Sequence, residues 1–229
     1  MTERPAALIT GASRGIGAAV ARALAPTHDV LLGGRDEAAL RALADELPGA
    51  RPFAVELTDA DALARAVAGI ERLDVLVHSA GVAELGPLSD ASAEVWRRTL
   101  EVNVVAVAEL TRLALPLLRE ARGDVVLINS GAGLRANPGW GVYAASKFAL
   151  RAFGDVLRAE EPALRVTSVH PGRVDTDMQR DVRQQEGGEY EAELYLRAGS
   201  VADAVARAVL AGDDAHITEI VVRPRTKLG

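Results

Sequence analysis

The chain has 229 residues, of which 49% are hydrophobic and 3% aromatic, and its formal net charge at pH 7 is −6. This length suits one α/β domain, or at most two small ones, with a core built mainly from Ala, Val and Leu. The negative charge, with arginines scattered among acidic residues, argues against nucleic acid or an anionic membrane as a partner. The absence of cysteine excludes disulfides and thiolate chemistry.

No signal peptide or membrane-spanning stretch is visible, because the polar start Met1–Pro5 leads directly into a short apolar run. We therefore expect a cytoplasmic protein. No spacing of histidines and carboxylates is typical of a metal site, so no metal is expected.

Short apolar runs alternate with longer segments of helical period, which is typical of a parallel sheet with helical crossovers. The predicted strands are Ala6–Thr10, Asp29–Gly33, Arg51–Val55, Leu73–His78, Asp124–Asn129, Leu164–His170 and Ile217–Val222. The predicted helices are Gly15–Ala25, Glu37–Leu47, Asp59–Glu71, Ser92–Arg119, Val142–Glu161 and Val201–Leu210. The pattern predicts one doubly wound α/β domain over residues 1–229, with helices on both faces of a seven-stranded parallel sheet.

This pattern breaks between Arg173 and Gly199, where the sequence is polar and contains Gly187-Gly188. We interpret residues 173–199 as a mobile segment on the substrate side of the sheet. A basic tail follows the last predicted strand.

Lys147 is one of two lysines in a chain that has 24 arginines, so its position calls for an ammonium group in particular. It follows Tyr143 by four residues, which places both side chains on one face of a helix. A nearby cation lowers the pKa of a phenol from its usual value of about 10. A phenol of this kind protonates a carbonyl or accepts a proton from an alcohol. The same spacing also arises by chance on solvated helices, so the pair needs support from other residues.

A glycine-rich turn, Thr10-Gly11-Ala12-Ser13-Arg14-Gly15-Ile16-Gly17, joins the first strand to the first helix. Glycines at such a turn let the backbone approach a pyrophosphate, and the helix N-terminus supplies N–H donors. A tight turn that binds no ligand can also need glycine. Because this turn lies between a strand and a helix, the interpretation as a nucleotide-binding turn is favoured.

The second strand ends in Gly33-Gly34-Arg35, where an acidic residue would bind the ribose hydroxyls of NAD. Gly34 holds that position, and the guanidinium of Arg35 suits a 2′-phosphate, with Arg14 as a second cation. Asp36 and Glu37 keep NAD(H) open as the alternative, because either is the ribose acid if the strand ends later. The residues favour NADP(H).

Two further polar residues stand out. Ser130 closes the fifth strand, 13 residues before Tyr143, at the edge of a parallel sheet where ligands bind. Asn103 interrupts an apolar helical run, and Asn is a poor helix-interior residue, so it indicates a specific polar role.

Together these residues resemble the short-chain dehydrogenase/reductase family in its compact, single-domain, Rossmann-type form. The resemblance includes the glycine turn, Ala80-Gly81 after the fourth strand, Tyr143-Ala-Ala-Ser-Lys147 and Pro171-Gly172-Arg-Val-Asp-Thr176. The family's catalytic set falls on Asn103, Ser130, Tyr143 and Lys147. The cofactor residues that the resemblance implies are Gly11, Ser13, Arg14, Gly15, Ile16, Gly17, Arg35, Glu56, Leu57, Ala80, Gly81, Tyr143, Lys147, Pro171, Gly172, Val174 and Thr176.

The resemblance implies a hydride transfer between NADP(H) and a ketone or secondary alcohol. Tyr143 is then the general acid or base, Ser130 holds the substrate oxygen, and Lys147 lowers the pKa of Tyr143 and binds the nicotinamide ribose. Asn103 holds a water that relays protons to Lys147, and Thr176 contacts the carboxamide. None of the four histidines is given a catalytic role.

The chain departs from the family pattern at three places. His78-Ser79-Ala80-Gly81 stands where Asn-Asn-Ala-Gly is common, and Glu56 stands where an Asp near the adenine is usual. Near the C-terminus the chain reads Ile220-Val221-Val222-Arg223-Pro224 without the frequent Asp-Gly-Gly, which puts assembly contacts at this end in doubt.

The substrate is expected to be a small apolar ketone or secondary alcohol, because the candidate wall residues are mostly apolar. These candidates are Val82, Ala132, Leu134, Trp140 and Met178, with Tyr190 and Tyr195 on the predicted mobile segment. Two alternatives are a sugar-nucleotide epimerase or dehydratase, which is usually longer, and a nucleotide-sensing regulator without catalysis.

A homo-oligomer, a dimer or a tetramer, is expected because two helices carry more apolar surface than one sheet contact requires. The residues concerned are Val95, Leu100, Val102, Val104, Val105, Val107, Leu110, Phe148, Leu150, Phe153, Val156 and Leu157. In the family that the chain resembles, these helices pair across a two-fold axis.

Overall fold

The computed structural model describes residues 4–225. The end of the predicted basic tail, including Lys227, lies outside these residues. The strands are β1 (Ala6–Ile9), β2 (Asp29–Gly34), β3 (Arg51–Ala54), β4 (Val75–His78), β5 (Asp124–Ile128), β6 (Arg165–Pro171) and β7 (Glu219–Val222). The helices are α1 (Gly15–Leu24), α2 (Glu37–Glu46), α3 (Ala60–Ala68), α4 (Ala93–Leu100), α5 (Ala106–Ala121), α6 (Gly141–Glu160), α7 (Asp177–Gln185) and α8 (Ala198–Val209).

All seven strands form one parallel sheet in the order β3-β2-β1-β4-β5-β6-β7, which confirms the predicted doubly wound architecture. The strand order reverses between β1 and β4, which are hydrogen-bonded neighbours. In such sheets a crevice opens beyond the carboxyl ends of the strands at the point of reversal. The glycine turn after β1 and Ala80-Gly81 after β4 therefore lie at the same opening.

The two faces of the sheet are covered by different helices. On one face, Val20 and Leu24 of α1, Leu40 of α2 and Val205 of α8 pack on the strands. On the other face, Leu63 of α3, Leu110 and Leu118 of α5, and Leu150 of α6 form a second buried cluster. Burial on both faces explains why the central strands are continuous apolar runs.

Side-chain caps fix the starts of the crossover helices. The carboxylates of Asp36 and Asp59 accept the N–H groups of Ala39 and Ala62 at 3.0 and 2.9 Å. The sequence predicted Asp59 near the start of its helix, and its position as the N-cap residue of α3 confirms this.

One long helix was predicted over Ser92–Arg119. The structure instead has α4 and α5, which are joined by a π-helical segment at Glu101–Val105. Asn103 lies in this segment, and its side chain bonds the backbone of Val82 on the neighbouring loop. A widened turn of this kind is common at functional sites. Helical periodicity alone gave no sign of this segment.

The segment between Arg173 and Gly199 contains more regular structure than the sequence pattern predicted. It includes α7, a 3₁₀ turn at Ala192–Leu194 and a parallel bridge between Val174 and Leu196. The carboxamide oxygen of Gln185 accepts the N–H of Leu85 at 2.7 Å, which ties α7 to the loop after β4. The segment thus forms a helical wall beside the crevice.

Candidate active site

The glycine turn brings the backbone of β1 against the end of β4. Gly11 has a φ of +66°, and a Cβ atom there would lie 2.9 Å from the backbone N and Cα of Ala80. A Cβ atom on Gly17 would collide with the carbonyl of Gly11. The hydroxyl of Thr10 accepts the N–H groups of Ser79 and Ala80 at 3.0 and 3.1 Å, which locks the two strand ends together. The turn therefore leaves room for a ligand only above its backbone, as a pyrophosphate requires.

Two cavities open at this edge of the sheet and share the residues Ile16, Ser79, Gly81, Val82, Thr176 and Met178, so they form one continuous cleft. We call the first part the nucleotide groove. The predicted cofactor residues that line it are Gly11, Ser13, Arg14, Gly15, Ile16, Gly17, Arg35, Glu56, Leu57, Ala80, Gly81 and Thr176. The second part, called here the substrate cavity, is lined by the remainder: Tyr143, Lys147, Pro171, Gly172 and Val174. The shape and lining of the cleft fit a dinucleotide lying across the strand ends.

The acidic alternatives at the end of β2 are occupied elsewhere. Asp36 caps α2, and Glu37 binds Arg41 with a distance of 2.6 Å between Oε1 and Nη2. Arg35 lines the groove, and its Nη1 lies 3.2 Å from Oε2 of Glu56. Arg14 makes a similar contact with Asp177 at 3.3 Å. Arg14 and Arg35 thus each present a guanidinium group to the groove, and each has one carboxylate partner.

Glu56 is ionised in this arrangement. Burial raises the pKa of its carboxyl group, but hydrogen bonds from Thr58 and Arg35 outweigh burial and lower the pKa below its usual value. The Glu56 carboxylate therefore holds Arg35 at the rim of the groove.

The catalytic candidates meet on the floor of the substrate cavity. Tyr143 and Lys147 are both buried on α6, and Ser130 follows β5 on the facing side. Nζ of Lys147 donates to the carbonyl oxygen of Ile128 at 3.0 Å and lies 5.8 Å from the centre of the Tyr143 ring. The ring of Trp140 packs edge-on against Tyr143 with centroids 5.9 Å apart, so apolar groups surround the phenol.

Asn103 fixes this cluster from the side. Its amide nitrogen donates to the carbonyl of Val82 at 2.9 Å and to the hydroxyl of Ser146 at 3.0 Å, and its oxygen accepts the N–H of Val82 at 2.9 Å. Ser146 in turn donates to the carbonyl of Tyr143 at 2.7 Å. The Asn103 side chain therefore connects the loop after β4 to the helix that carries Tyr143. The predicted water relay from Asn103 to Lys147 stays a prediction.

The predicted substrate-wall residues do not all lie at the cavity. Val82, Ala132, Trp140 and Met178 line the cavity, but Leu134 does not. Tyr190 and Tyr195 do not line it either, because the Tyr190 hydroxyl donates to Asp175 and the two tyrosine rings pack on each other.

Sequence reasoning missed several lining residues. In the substrate cavity these are Ser79, Ala83, Ile128, Asn129, Gly131, Asn137, Arg173, Gln179 and Val182. In the nucleotide groove they include Arg98 and Val102 of the π-containing helix. The spacing of Gln179 and Val182 was the available signal, since residues three apart share a helix face, but it needed the assignment of α7.

A family model described as short chain dehydrogenase matches residues 5–187. The chain belongs to the short-chain dehydrogenase family. This confirms the resemblance that the glycine turn, Ser130 and the Tyr143–Lys147 pair indicated, and it makes the chain an oxidoreductase by family.

Curated relatives and solved structures agree with this membership. An uncharacterized oxidoreductase of Schizosaccharomyces pombe is 33% identical over 188 residues, which are 80% of this chain and 76% of that protein. Benzil reductase ((S)-benzoin forming) of Saccharomyces cerevisiae is 35% identical over 199 residues, or 79% of this chain and 75% of that enzyme. An alcohol dehydrogenase from the archaeon Thermococcus sibiricus, complexed with 5-hydroxy-NADP, superposes with a TM-score of 0.91 at 28% identity and 99% coverage of both chains.

In this short-chain dehydrogenase, the pKa of Tyr143 differs from the sequence prediction. Burial raises the pKa of the Tyr143 phenol, and a hydrogen bond with Ser130 opposes this without reversing it. The pKa of the Tyr143 phenol therefore does not lie below its usual value in the protein without ligands, contrary to the sequence prediction. The physical reason is the burial of the phenol, which outweighs the hydrogen bond with Ser130. The Lys147 ammonium donates to the carbonyl of Ile128, and burial lowers its own pKa to about 8.

The buried histidine next to the cleft has a structural role. Burial lowers the pKa of His78 to about 3, so its imidazole is neutral, and it shares a hydrogen bond of 2.9 Å with the hydroxyl of Thr111. Among residues 4–225, no group of three histidine or carboxylate side chains is placed to hold a metal ion. Within the same range, no helix has the length and apolar character needed to cross a membrane.

Replacing Lys147 with Met should stabilise the protein without ligands. The pKa of Lys147 is about 8 in the folded state, and it returns to about 10.4 on unfolding. Between these values the unfolded chain binds more protons, so wild-type stability rises with pH across this window. Urea unfolding of Lys147→Met should give a free energy of unfolding about 3 kcal/mol above wild type at pH 7, the equivalent of the shift in the Lys147 pKa.

The difference in the free energy of unfolding between the two proteins should disappear between pH 8 and about 10, because the wild-type ammonium loses its proton in the folded state over this range. Measurements at both ends of this window are the internal control. A Lys147→Met protein that is less stable than wild type at pH 7 would show that the buried ammonium stabilises the fold.

Proposed function

We propose that the chain transfers hydride between NADP(H) and a ketone or secondary alcohol, with Tyr143 as the general acid or base. The observation that carries this proposal is the placement of Tyr143, Ser130 and Lys147 on the floor of a cavity that is continuous with the nucleotide groove. When bound, the nicotinamide supplies the hydride. The protein must then orient the carbonyl, stabilise the charge on its oxygen and deliver one proton.

The three side chains divide these tasks. The carbonyl oxygen accepts hydrogen bonds from the hydroxyls of Ser130 and Tyr143, which stabilise the negative charge that develops on it. Tyr143 transfers its proton to this oxygen, which becomes the alcohol, and the resulting phenolate faces the Lys147 ammonium across 5.8 Å from the ring centre. The Lys147 cation interacts more strongly with the phenolate than with the neutral phenol. It therefore stabilises the products of proton transfer more than the starting state.

Several contacts hold the reacting groups in place. The oxygen of the Asn129 carboxamide accepts the N–H of Ser130 at 2.9 Å, and Asn103 braces α6 through Ser146. Trp140 and Met178 supply apolar walls that exclude water from the carbonyl. Hydride transfer in a dry pocket avoids competing protonation by solvent.

The preference for NADP(H) over NAD(H) rests on the end of β2. Gly34 has no side chain to bind ribose hydroxyls, Asp36 and Glu37 are occupied by α2 and Arg41, and Arg35 lines the groove. A guanidinium binds a 2′-phosphate through charge-assisted hydrogen bonds. Glu56 competes for Arg35, so the gain from the phosphate is smaller than for an unpaired arginine.

We also propose that copies of this chain pair through α6 and the π-helical segment. Val105, Phe148 and Val156 are exposed apolar residues on these two neighbouring elements. The exposed apolar surface of these helices is smaller than the sequence predicted, because Val107, Leu110, Leu150 and Leu157 are buried in the core.

Light scattering behind size exclusion should show at least a dimer of this chain. A single species near the chain mass of 24.0 kDa would contradict pairing.

Tyr143→Phe should lower the turnover of ketones with NADPH by at least about 100-fold, because it removes the positioned acid. Its affinity for NADPH, measured by isothermal titration calorimetry, should stay within a few-fold of wild type. Tyr190→Phe is the matched control, since its hydroxyl bonds Asp175 outside both cavities. Turnover of Tyr143→Phe close to that of Tyr190→Phe would refute the catalytic assignment and favour a nucleotide-sensing role.

Arg35→Ser should weaken NADPH binding by at least about 10-fold and leave NADH binding nearly unchanged, because a charge-assisted contact to the 2′-phosphate is lost. Arg41→Ser is the control, since Arg41 is also exposed and paired with a glutamate but lies outside the groove. Calorimetric titration with both cofactors gives the comparison. Tighter binding of NADH than NADPH by the wild-type protein would overturn the preference.

A further inference from the structure

Gln179 is a buried polar side chain that the mechanism above does not use. It lies on α7 with 7% of its surface exposed, and it lines the substrate cavity. Among residues 4–225, its side-chain amide nitrogen has no hydrogen-bond partner. A buried donor without a partner is uncommon in folded proteins and calls for an explanation.

The helix start does not explain it. In α7 the N-cap residue is Thr176, whose hydroxyl accepts the backbone N–H of Gln179 at 3.2 Å. The cap is therefore satisfied by a short side chain, and the carboxamide of Gln179 is free for another role. The position of the backbone is fixed, because Gln185 at the other end of the helix is bonded to Leu85.

The surroundings of Gln179 make the carboxamide conspicuous. Met178, Val182, Val174 and Trp140 line the same cavity, and all are apolar or aromatic. A side chain of the same length without polar atoms, such as Met, would fit this wall at no desolvation cost. An amide at this place is useful only if something in the cavity accepts its hydrogen bond.

Two other polar side chains of the cavity, Arg173 and Asn129, are held by neighbouring groups. Both terminal nitrogens of Arg173 bind the carboxylate of Glu186 at 2.7 Å. The amide nitrogen of Asn129 also lacks a partner among the described residues, but its oxygen is held by the N–H of Ser130 at the reacting end. Gln179 is thus the buried donor on the helical wall.

We infer that Gln179 donates a hydrogen bond to a second oxygen of the substrate, so that the preferred substrates are ketones with a further carbonyl or ester oxygen. This inference rests on the proposed function, because it assumes that the first oxygen lies at Ser130 and Tyr143. A site that bonds a substrate oxygen discriminates against the analogue without it, since the protein donor is then left unpaired.

A pair of probes of nearly equal size tests the inference. 1-Phenyl-1,2-propanedione and propiophenone differ by one carbonyl in place of one methylene. Calorimetric titration of the NADP⁺-saturated protein should show the dione bound about 5- to 10-fold more tightly, the usual scale of one neutral hydrogen bond. The Gln179→Met protein should lose this difference in affinity, because it binds the dione more weakly and propiophenone as before. The KM for reduction of the dione should rise by the same factor, with little change in kcat.

Gln184→Met is the matched control, because Gln184 lies exposed on the same helix and outside the cavity. Thermal unfolding is the second readout. Gln179→Met should unfold at the wild-type temperature or above it, because a buried donor without a partner is replaced by an apolar group.

The inference is overturned if wild type binds the dione no more tightly than propiophenone, or if Gln179→Met weakens both probes equally. A lower unfolding temperature for Gln179→Met would also overturn it, since the amide would then have a partner inside the protein. These binding and unfolding results do not depend on turnover. A wild-type protein that binds the dione selectively but reduces no ketone would contradict the proposed function and not the Gln179 subsite.

Discussion

The buried ammonium group of Lys147 is bonded to the carbonyl oxygen of Ile128 under the substrate cavity. Burial lowers its pKa to about 8, so the group is still charged at neutral pH but at a cost to the stability of the fold. In the proposed reaction the neighbouring Tyr143 phenol becomes anionic, and the Lys147 cation then gains an oppositely charged partner. Stability is thus exchanged for a charge placed in advance, as is common at active sites.

The rest of the architecture keeps this charge in position. Ile128 ends β5, which is hydrogen-bonded on both sides within the parallel sheet, so the carbonyl that Lys147 bonds belongs to an interior strand. The π-helical turn at Asn103 ties the opposite side of α6 to the loop after β4. The reversal of strand order between β1 and β4 places the nucleotide groove beside the same cavity.

Local patterns were enough to predict much of this arrangement. The strands were visible as apolar runs, and the glycine turn and the Tyr143–Lys147 spacing were visible because each depends on neighbours in sequence. The features that were missed depend on tertiary contacts. The π-helical turn contains Asn103, which bonds Val82 on a distant segment, and the raised pKa of Tyr143 comes from burial. Helix α7 was missed because its apolar face is too short to produce a period, and Gln179 was missed with it.

The most direct test of this account is a pH titration of Lys147 by NMR. With only two lysines in the chain, lysine labelled at Cε gives two signals, and the Lys147→Met protein identifies which belongs to Lys147. The account predicts a midpoint near pH 8 for Lys147 in the protein without ligands. A midpoint at the ordinary lysine value of about 10.4 would contradict this prediction, because the ammonium would then not be buried beside Tyr143.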